Sequence, residues 1–174
     1  MMFFSRFESP YGIWAVMASE AGVRSVILPH EGFSASDKAG KYSALTPSGL
    51  CEQVASMLTN YFKGERQQFE IIPIDLDVAG SFTCRVLNLI RSIPYGSVKS
   101  YREVAILAGS PRSARAVGGA MAANPVPVII PCHRVVSSRG CLTGYTAPGG
   151  LELKKILLQM EGVEFIGEHV CQAK

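Results

Sequence analysis

Asn124-Pro125-Val126-Pro127-Val128-Ile129-Ile130-Pro131-Cys132-His133-Arg134-Val135 decides how the second half of the chain is read. Its three prolines fix φ and remove amide donors, which predicts an extended approach. The apolar run Val126 to Ile130 predicts a short buried strand or extended segment. A thiol follows, with an imidazole and a guanidinium directly behind it. The thiolate is the reactive form of cysteine, and a basic neighbourhood lowers the thiol pKa from about 8.5 to roughly 3.5–7.5. Read alone, Cys-His-Arg is equally a buried structural cysteine beside a surface histidine, since free cysteines are among the most buried residues.

Upstream, Ser100-Tyr101-Arg102-Glu103 has the spacing of a capping box. The helix it starts runs to about Ala108 and ends at Gly109. Ser110 as cap and Pro111 in the first turn predict a second helix, running to Ala123 and stopped by Asn124-Pro125. Two helices across so short a turn form a helix-turn-helix candidate. On the second helix Ala114, Val117 and Met121 form a core side. Arg112, Arg115, Gly119 and Ala122 form the other, a face of two guanidiniums and little else that suits close approach to phosphates. A packed helix pair with exposed arginines is the plainer reading of the same pattern.

Downstream, the glycine-bearing loop 137–150 suits a pocket wall. A last helix, Leu151 to Glu161, ends at Gly162, and Lys154, Leu158 and Glu161 share one face. Glu161 could reach the histidine from there, although by itself it reads as a surface residue. Residues 163–174 read as a short strand and a tail.

The first half reads differently. Tyr11 to Ala18 and Val23 to Leu28 flank a short loop and predict a hairpin, with Phe3 to Phe7 as a third strand. Residues 30–46 read as a loop. A helix follows from Pro47 to Phe62 with Thr46 as cap, then a strand from Phe69 to Ile74. Trp14 reads as core, and Cys51 on the helix and His30 in the loop both read as structural or incidental. A boundary near Val78 to Ser81 divides the chain into domains 1–79 and 80–174, the second opening with a helix from Phe82 to Ser92 capped by Ser81.

The chain has 174 residues, 48% hydrophobic and 18% charged, which excludes disorder as its main state. No apolar run approaches the roughly 18 residues of a membrane span, and no signal peptide is legible, so the expected location is cytoplasmic. Five scattered cysteines without a Cys-x-x-Cys pair predict free thiols and no zinc site. Residues 1–79 hold six Lys/Arg against nine Asp/Glu, whereas residues 80–174 hold eleven against five. A basic half beside an acidic one predicts a polyanionic partner on one side.

Pro131-Cys132-His133-Arg134-Val135, preceded by Asn124-Pro125, resembles the active-site signature of the O(6)-alkylguanine-DNA alkyltransferases, or methylated-DNA–protein-cysteine methyltransferases. The resemblance continues in order from Ile93-Pro94-Tyr95-Gly96 to Glu161-Gly162. It implies an α/β N-terminal part with a small antiparallel sheet, ribonuclease-H-like. It implies a mainly α C-terminal domain carrying a winged-helix-like helix-turn-helix for DNA binding and alkyl acceptance. The implied partner is double-stranded DNA, approached through the minor groove by a monomer. The implied activity flips O(6)-alkylguanine, and O(4)-alkylthymine, out of the duplex and moves the alkyl group irreversibly to Cys132, once per molecule, without cofactor or metal.

Residue by residue, the resemblance makes Cys132 the acceptor, His133 its base acting through a water, and Glu161 the acid that orients His133. Asn124 matches the hinge between recognition helix and active-site strand. Tyr101 matches a proton donor toward the guanine ring near the rotated phosphate, and Lys154 the helix lysine behind it. Arg115 matches the arginine that fills the gap left by the flipped base. Arg112, Gly118, Gly119 and Ala122 share its DNA-binding helix, and Val135, Tyr145 and Thr146 match the guanine pocket. Arg134 reads as a brace for the active-site turn. Other readings are an alkyltransferase-like damage-binding protein without transfer, which the presence of Cys132 disfavours, a cysteine hydrolase built on Cys132, and a helix-turn-helix transcription factor.

Overall fold

Alternating side chains along Met2–Ser9 (β1), Gly12–Ser19 (β2) and Gly22–Ile27 (β3) build an antiparallel meander in that order. Phe7 lies opposite Trp14, and the register shifts between Met17 and Ala18. The computed structural model describes residues 1–29, 48–76 and 80–170. It divides into two units, Met1–Asp77 and Val78–Lys174.

In the first unit, helix α1 (Gly49–Phe62) packs against the meander. Its seam is aromatic: Trp14 and Phe62 rings lie 4.7 Å apart, and Trp14, Leu58 and Tyr61 are buried. Burying each such side chain stabilises the fold by about 1.5–3 kcal/mol. The helix starts later than expected. Ser48 is its cap, accepting from the Cys51 amide, whereas Thr46 and Pro47 lie outside the described residues, as do His30 and the 30–46 loop. Cys51 is buried in this core. The strand expected at Phe69 to Ile74 is a single 3-10 turn, Phe69–Ile71, followed by one bridge from Ile74 to Val23. Pro73 has no amide to extend the ladder, but its carbonyl accepts from Val23.

The second unit is mainly helical. Helix α2 (Ser81–Arg91) begins after Gly80, so Ser81 is its first residue rather than its cap. Ser100 and Glu103 form the reciprocal capping box of α3 (Tyr101–Leu107). Helix α4 (Ala114–Ala122) starts three residues later than Pro111 suggested, after Ser113, with Pro111 and Arg112 in the preceding turn. Both α2 and α3 pack against α4, burying Val86, Ile90, Val104, Val117 and Met121. Short strands β4 (Lys99–Ser100) and β5 (Val135–Val136) pair in parallel. Helix α5 (Gly150–Met160) ends at Glu161, and β6 (Phe165–Ile166) pairs with β7 (His169–Val170). Among the described residues no helix is long and apolar enough to cross a membrane.

The stretch between α4 and Cys132 departs most from expectation. Val126 to Ile130 is buried, but it is a tight turn rather than an extended strand. The Ile130 amide donates back to the Val126 carbonyl at 2.9 Å, and Val128 adopts φ 72°. A β-branched residue there carries strain of about 1–3 kcal/mol, which the surrounding bonds must hold.

Candidate active site

Asn124 locks that turn. Its Oδ1 accepts from the Val126 amide at 3.0 Å, and its Nδ2 donates to the Ile130 carbonyl at 2.9 Å. The same Nδ2 lies 3.3 Å from Cys132 Sγ. Because a carbonyl only accepts, these bonds fix the amide orientation and aim a donor at sulfur.

Cys132, His133 and Arg134 follow in a single 3-10 turn, and all three are buried. His133 Nε2 lies 2.8 Å from Glu161 Oε1. Arg134 grips the same carboxylate with two nitrogens, Nε to Oε2 at 2.8 Å and NH2 to Oε1 at 2.9 Å. Its NH1 donates to the Ile93 carbonyl at 2.6 Å, and the Gly96 amide donates to Glu161 Oε2 at 3.3 Å. Gly96 suits this approach: its φ is 73°, and a Cβ would lie 2.8 Å from the Glu161 carbonyl.

The protonation states follow. Burial works to raise the Glu161 pKa, but hydrogen bonds and charge from His133 and Arg134 outweigh it and hold the carboxyl at about 2. Burial lowers the His133 pKa, against the pull of Glu161, so its ring is neutral near pH 7. A carboxylate accepts only, so Nε2 carries the hydrogen and Nδ1 the lone pair. His133 is thereby set up as a base at Nδ1.

Cys132 contradicts the expectation of a lowered pKa. Burial raises it, opposed by the Asn124 hydrogen bond and the charge of Lys154. With the residue only 6% exposed, Cys132 rests as a thiol, and the reactive thiolate must be made on demand. Lys154 is wholly buried on α5, and burial lowers its pKa to about 8. Its Nζ donates to the carbonyls of Val135, at 2.6 Å, and Thr143, at 2.9 Å, tying the 137–150 loop to β5. The Tyr101 hydroxyl donates to the same Thr143 carbonyl at 2.9 Å, so its proton is committed there in this state. Gly144 makes that contact possible, since a Cβ would lie 2.5 Å from the Tyr101 oxygen.

The Tyr145 hydroxyl is buried, with no hydrogen-bond partner among the described residues, and its ring faces Lys154 Nζ at 5.9 Å. Thr146 is exposed on the loop. On α4, Arg115, Gly119 and Ala122 are exposed, Arg112 is exposed just before the helix, and Gly118 faces the Tyr101 ring. Of the expected residues, Cys132 is joined to Asn124, His133 to Glu161, and Lys154 to Val135, while Tyr101 meets Lys154 at the Thr143 carbonyl. The Thr143 carbonyl, the Gly96 amide and Gly144 were not anticipated. A glycine in a positive-φ turn was the available signal for the last two.

A family model described as the 6-O-methylguanine DNA methyltransferase DNA-binding domain matches residues 81–163. The methylated-DNA–protein-cysteine methyltransferase of Haemophilus influenzae is 31% identical over 165 residues, covering 95% of this chain and 89% of that one. The human protein of the same name is 39% identical over 163 residues, covering 89% and 78%. Among solved structures, Mycobacterium tuberculosis OGT in complex with DNA superposes with a TM-score of 0.74 at 34% identity, covering 91% of this chain and 92% of that one.

Proposed function

The chain belongs to the methylated-DNA–protein-cysteine methyltransferase family, and from that premise we propose that it repairs alkylated DNA by moving the alkyl group to Cys132. The observation that carries this reading is a buried thiol hydrogen-bonded by Asn124, followed at once by a histidine whose tautomer a carboxylate fixes. The fold reading that goes with it is a ribonuclease-H-like first unit and a winged helix-turn-helix in the second, with α4 meeting the minor groove of a cytoplasmic DNA substrate.

The target carbon lies inside the duplex, so the base is extruded at a cost of a few kcal/mol. Arg115 fills the vacated stack, while Arg112 and the small residues Gly118, Gly119 and Ala122 let the helix approach the backbone. The flipped guanine sits against Tyr145, Thr146 and Val135, where the buried Tyr145 hydroxyl finds an acceptor. The Cys132 proton passes through water to His133 Nδ1, and Glu161 stabilises the imidazolium that forms. Sγ then attacks the alkyl carbon and its bond to O6 breaks. Tyr101, released from Thr143, gives a proton to the departing ring and regains one from solvent as the His133 imidazolium releases the proton it took, so the thiol hydrogen ends, in sum, on guanine. The thioether has no ready leaving group, and each molecule reacts once.

Excess alkylated duplex should yield one repaired base per protein and no more. Continued turnover would overturn the reading and favour a hydrolase. Arg115→Ala should slow transfer from a duplex by about ten- to hundredfold, as loss of a gap-filling group in an extrusion of a few kcal/mol requires. The same variant should leave reaction with free O(6)-benzylguanine nearly unchanged. Equal losses on both substrates would remove Arg115 from base flipping.

A further inference from the structure

The turn Ile93-Pro94-Tyr95-Gly96 wraps the array of His133, Glu161 and Arg134, and its tyrosine takes no direct part in the transfer steps. The Ser97 amide closes the turn on the Pro94 carbonyl at 3.1 Å. The backbone supplies two contacts: the Ile93 carbonyl accepts from Arg134 NH1, and the Gly96 amide donates to Glu161 Oε2. Tyr95 stands between them, half-buried, and reaches the same array twice more. Its ring centre lies 5.8 Å from Arg134 Cζ, and its hydroxyl donates to the Met160 carbonyl at 2.9 Å.

Each contact acts where Glu161 is held. The edges of the guanidinium bind the carboxylate and the Ile93 carbonyl, which fixes the group within its own plane and leaves its faces to packing. An aromatic ring over one face resists tilting of that plane, and the attraction is stronger because Arg134 is buried. Met160 is the last residue of α5, and its carbonyl is among the four that a helix cannot pair within itself. The Tyr95 hydroxyl anchors that end one residue before Glu161. We propose that Tyr95 is a positioning residue for alkyl transfer, setting the direction of the Glu161 carboxylate from two sides and, through it, the His133 ring hydrogen at Nε2. Its effect on rate rests on the transfer reading, whereas its effect on the His133 ring does not.

The test compares the full chain with Tyr95→Phe, which keeps the ring, and Tyr95→Leu, which removes ring and hydroxyl. Single-turnover transfer at saturating O(6)-methylguanine duplex, affinity for unmodified duplex, and the ring-nitrogen NMR shifts of His133 are read for each. Tyr95→Leu should transfer about tenfold more slowly, the scale of a desolvated cation–π contact, with affinity unchanged. Its His133 nitrogens should move from the pattern of a hydrogen at Nε2 toward that of a tautomer mixture. Tyr95→Phe should recover all but about two- to threefold of the rate, which is the share of the hydroxyl. Tyr95→Met, which fills the space without an aromatic face, takes the place of the leucine variant if that one does not fold. Parental rate and shifts in the ring-deleted variant, or Tyr95→Phe no faster than it, would overturn the proposal. A parent protein that transfers no methyl group would instead overturn the transfer reading, and the ring shifts would still decide the place of Tyr95.

Discussion

Glu161→Gln is expected to lower the alkyl-transfer rate by about 10²–10⁴-fold, the range that a lost general base commands. Glu161 accepts from His133, from Arg134 twice and from the Gly96 amide, and it donates nothing. A glutamine offers one acceptor oxygen and an amino group. Arg134 reaches both oxygen positions and so meets a donor in either orientation, and placing the amino group at the position that faces His133 also moves the ring hydrogen to Nδ1, where the base must be empty. Glu161→Ala should in addition destabilise the protein by about 3–5 kcal/mol, because it strands a buried guanidinium. Single-turnover kinetics and chemical denaturation check the two effects. Unchanged transfer in Glu161→Gln would mean that His133 is not the base.

The same array makes the protein labile to acid. His133 and Glu161 both have folded pKa values below their ordinary ones, 6.5 and 4.5. The unfolded chain therefore binds more protons, and stability contributed by both groups is fully present above those values. It should decline as pH falls below 6.5, through protonation of His133, and further between 4.5 and about 2 as Glu161 is titrated. Denaturation midpoints across that window check the sign.

Lys154→Met should separate stability from activity. A buried ammonium whose pKa is lowered to about 8 is a burden to the fold below that pH, since the unfolded lysine holds its proton up to its ordinary 10.5. An apolar replacement of similar length should leave stability within about 1 kcal/mol of the parent, or raise it. Transfer should nonetheless fall by about 100-fold, because the loop tether through Thr143 and a charge favouring the Cys132 thiolate both disappear. In the parent, transfer should rise with pH as Cys132 ionises and lose that gain above about 8 as Lys154 is neutralised. The alkaline loss should be absent in Lys154→Met. A large fall in stability with transfer intact would reverse the roles assigned to Lys154.

Local chemistry explains what the sequence revealed. The Ser100–Glu103 box joins neighbours on one helical turn, so α3 was visible in four residues. The core face of α4 was visible for the same reason, through Val117 and Met121. Glu161 was not visible alone, because its role depends on His133 and Arg134, which lie 28 and 27 residues away. The 126–130 segment misled because prolines with apolar neighbours favour extended backbone. The Asn124 bonds and the Ile130–Val126 backbone bond close the turn that holds Val128 at φ 72°. The protonation of Cys132 misled likewise. Its basic neighbours in sequence suggested thiolate, and burial, which no short motif encodes, prevails.

The most direct test is the intact mass of the protein after incubation with duplex DNA containing O(6)-methylguanine, with Cys132→Ser in parallel. A gain of a single methyl group, mapped to Cys132 and absent in the serine variant, is the predicted result. An unchanged mass, or a methyl group on any other residue, would contradict the assignment of Cys132 as the alkyl acceptor.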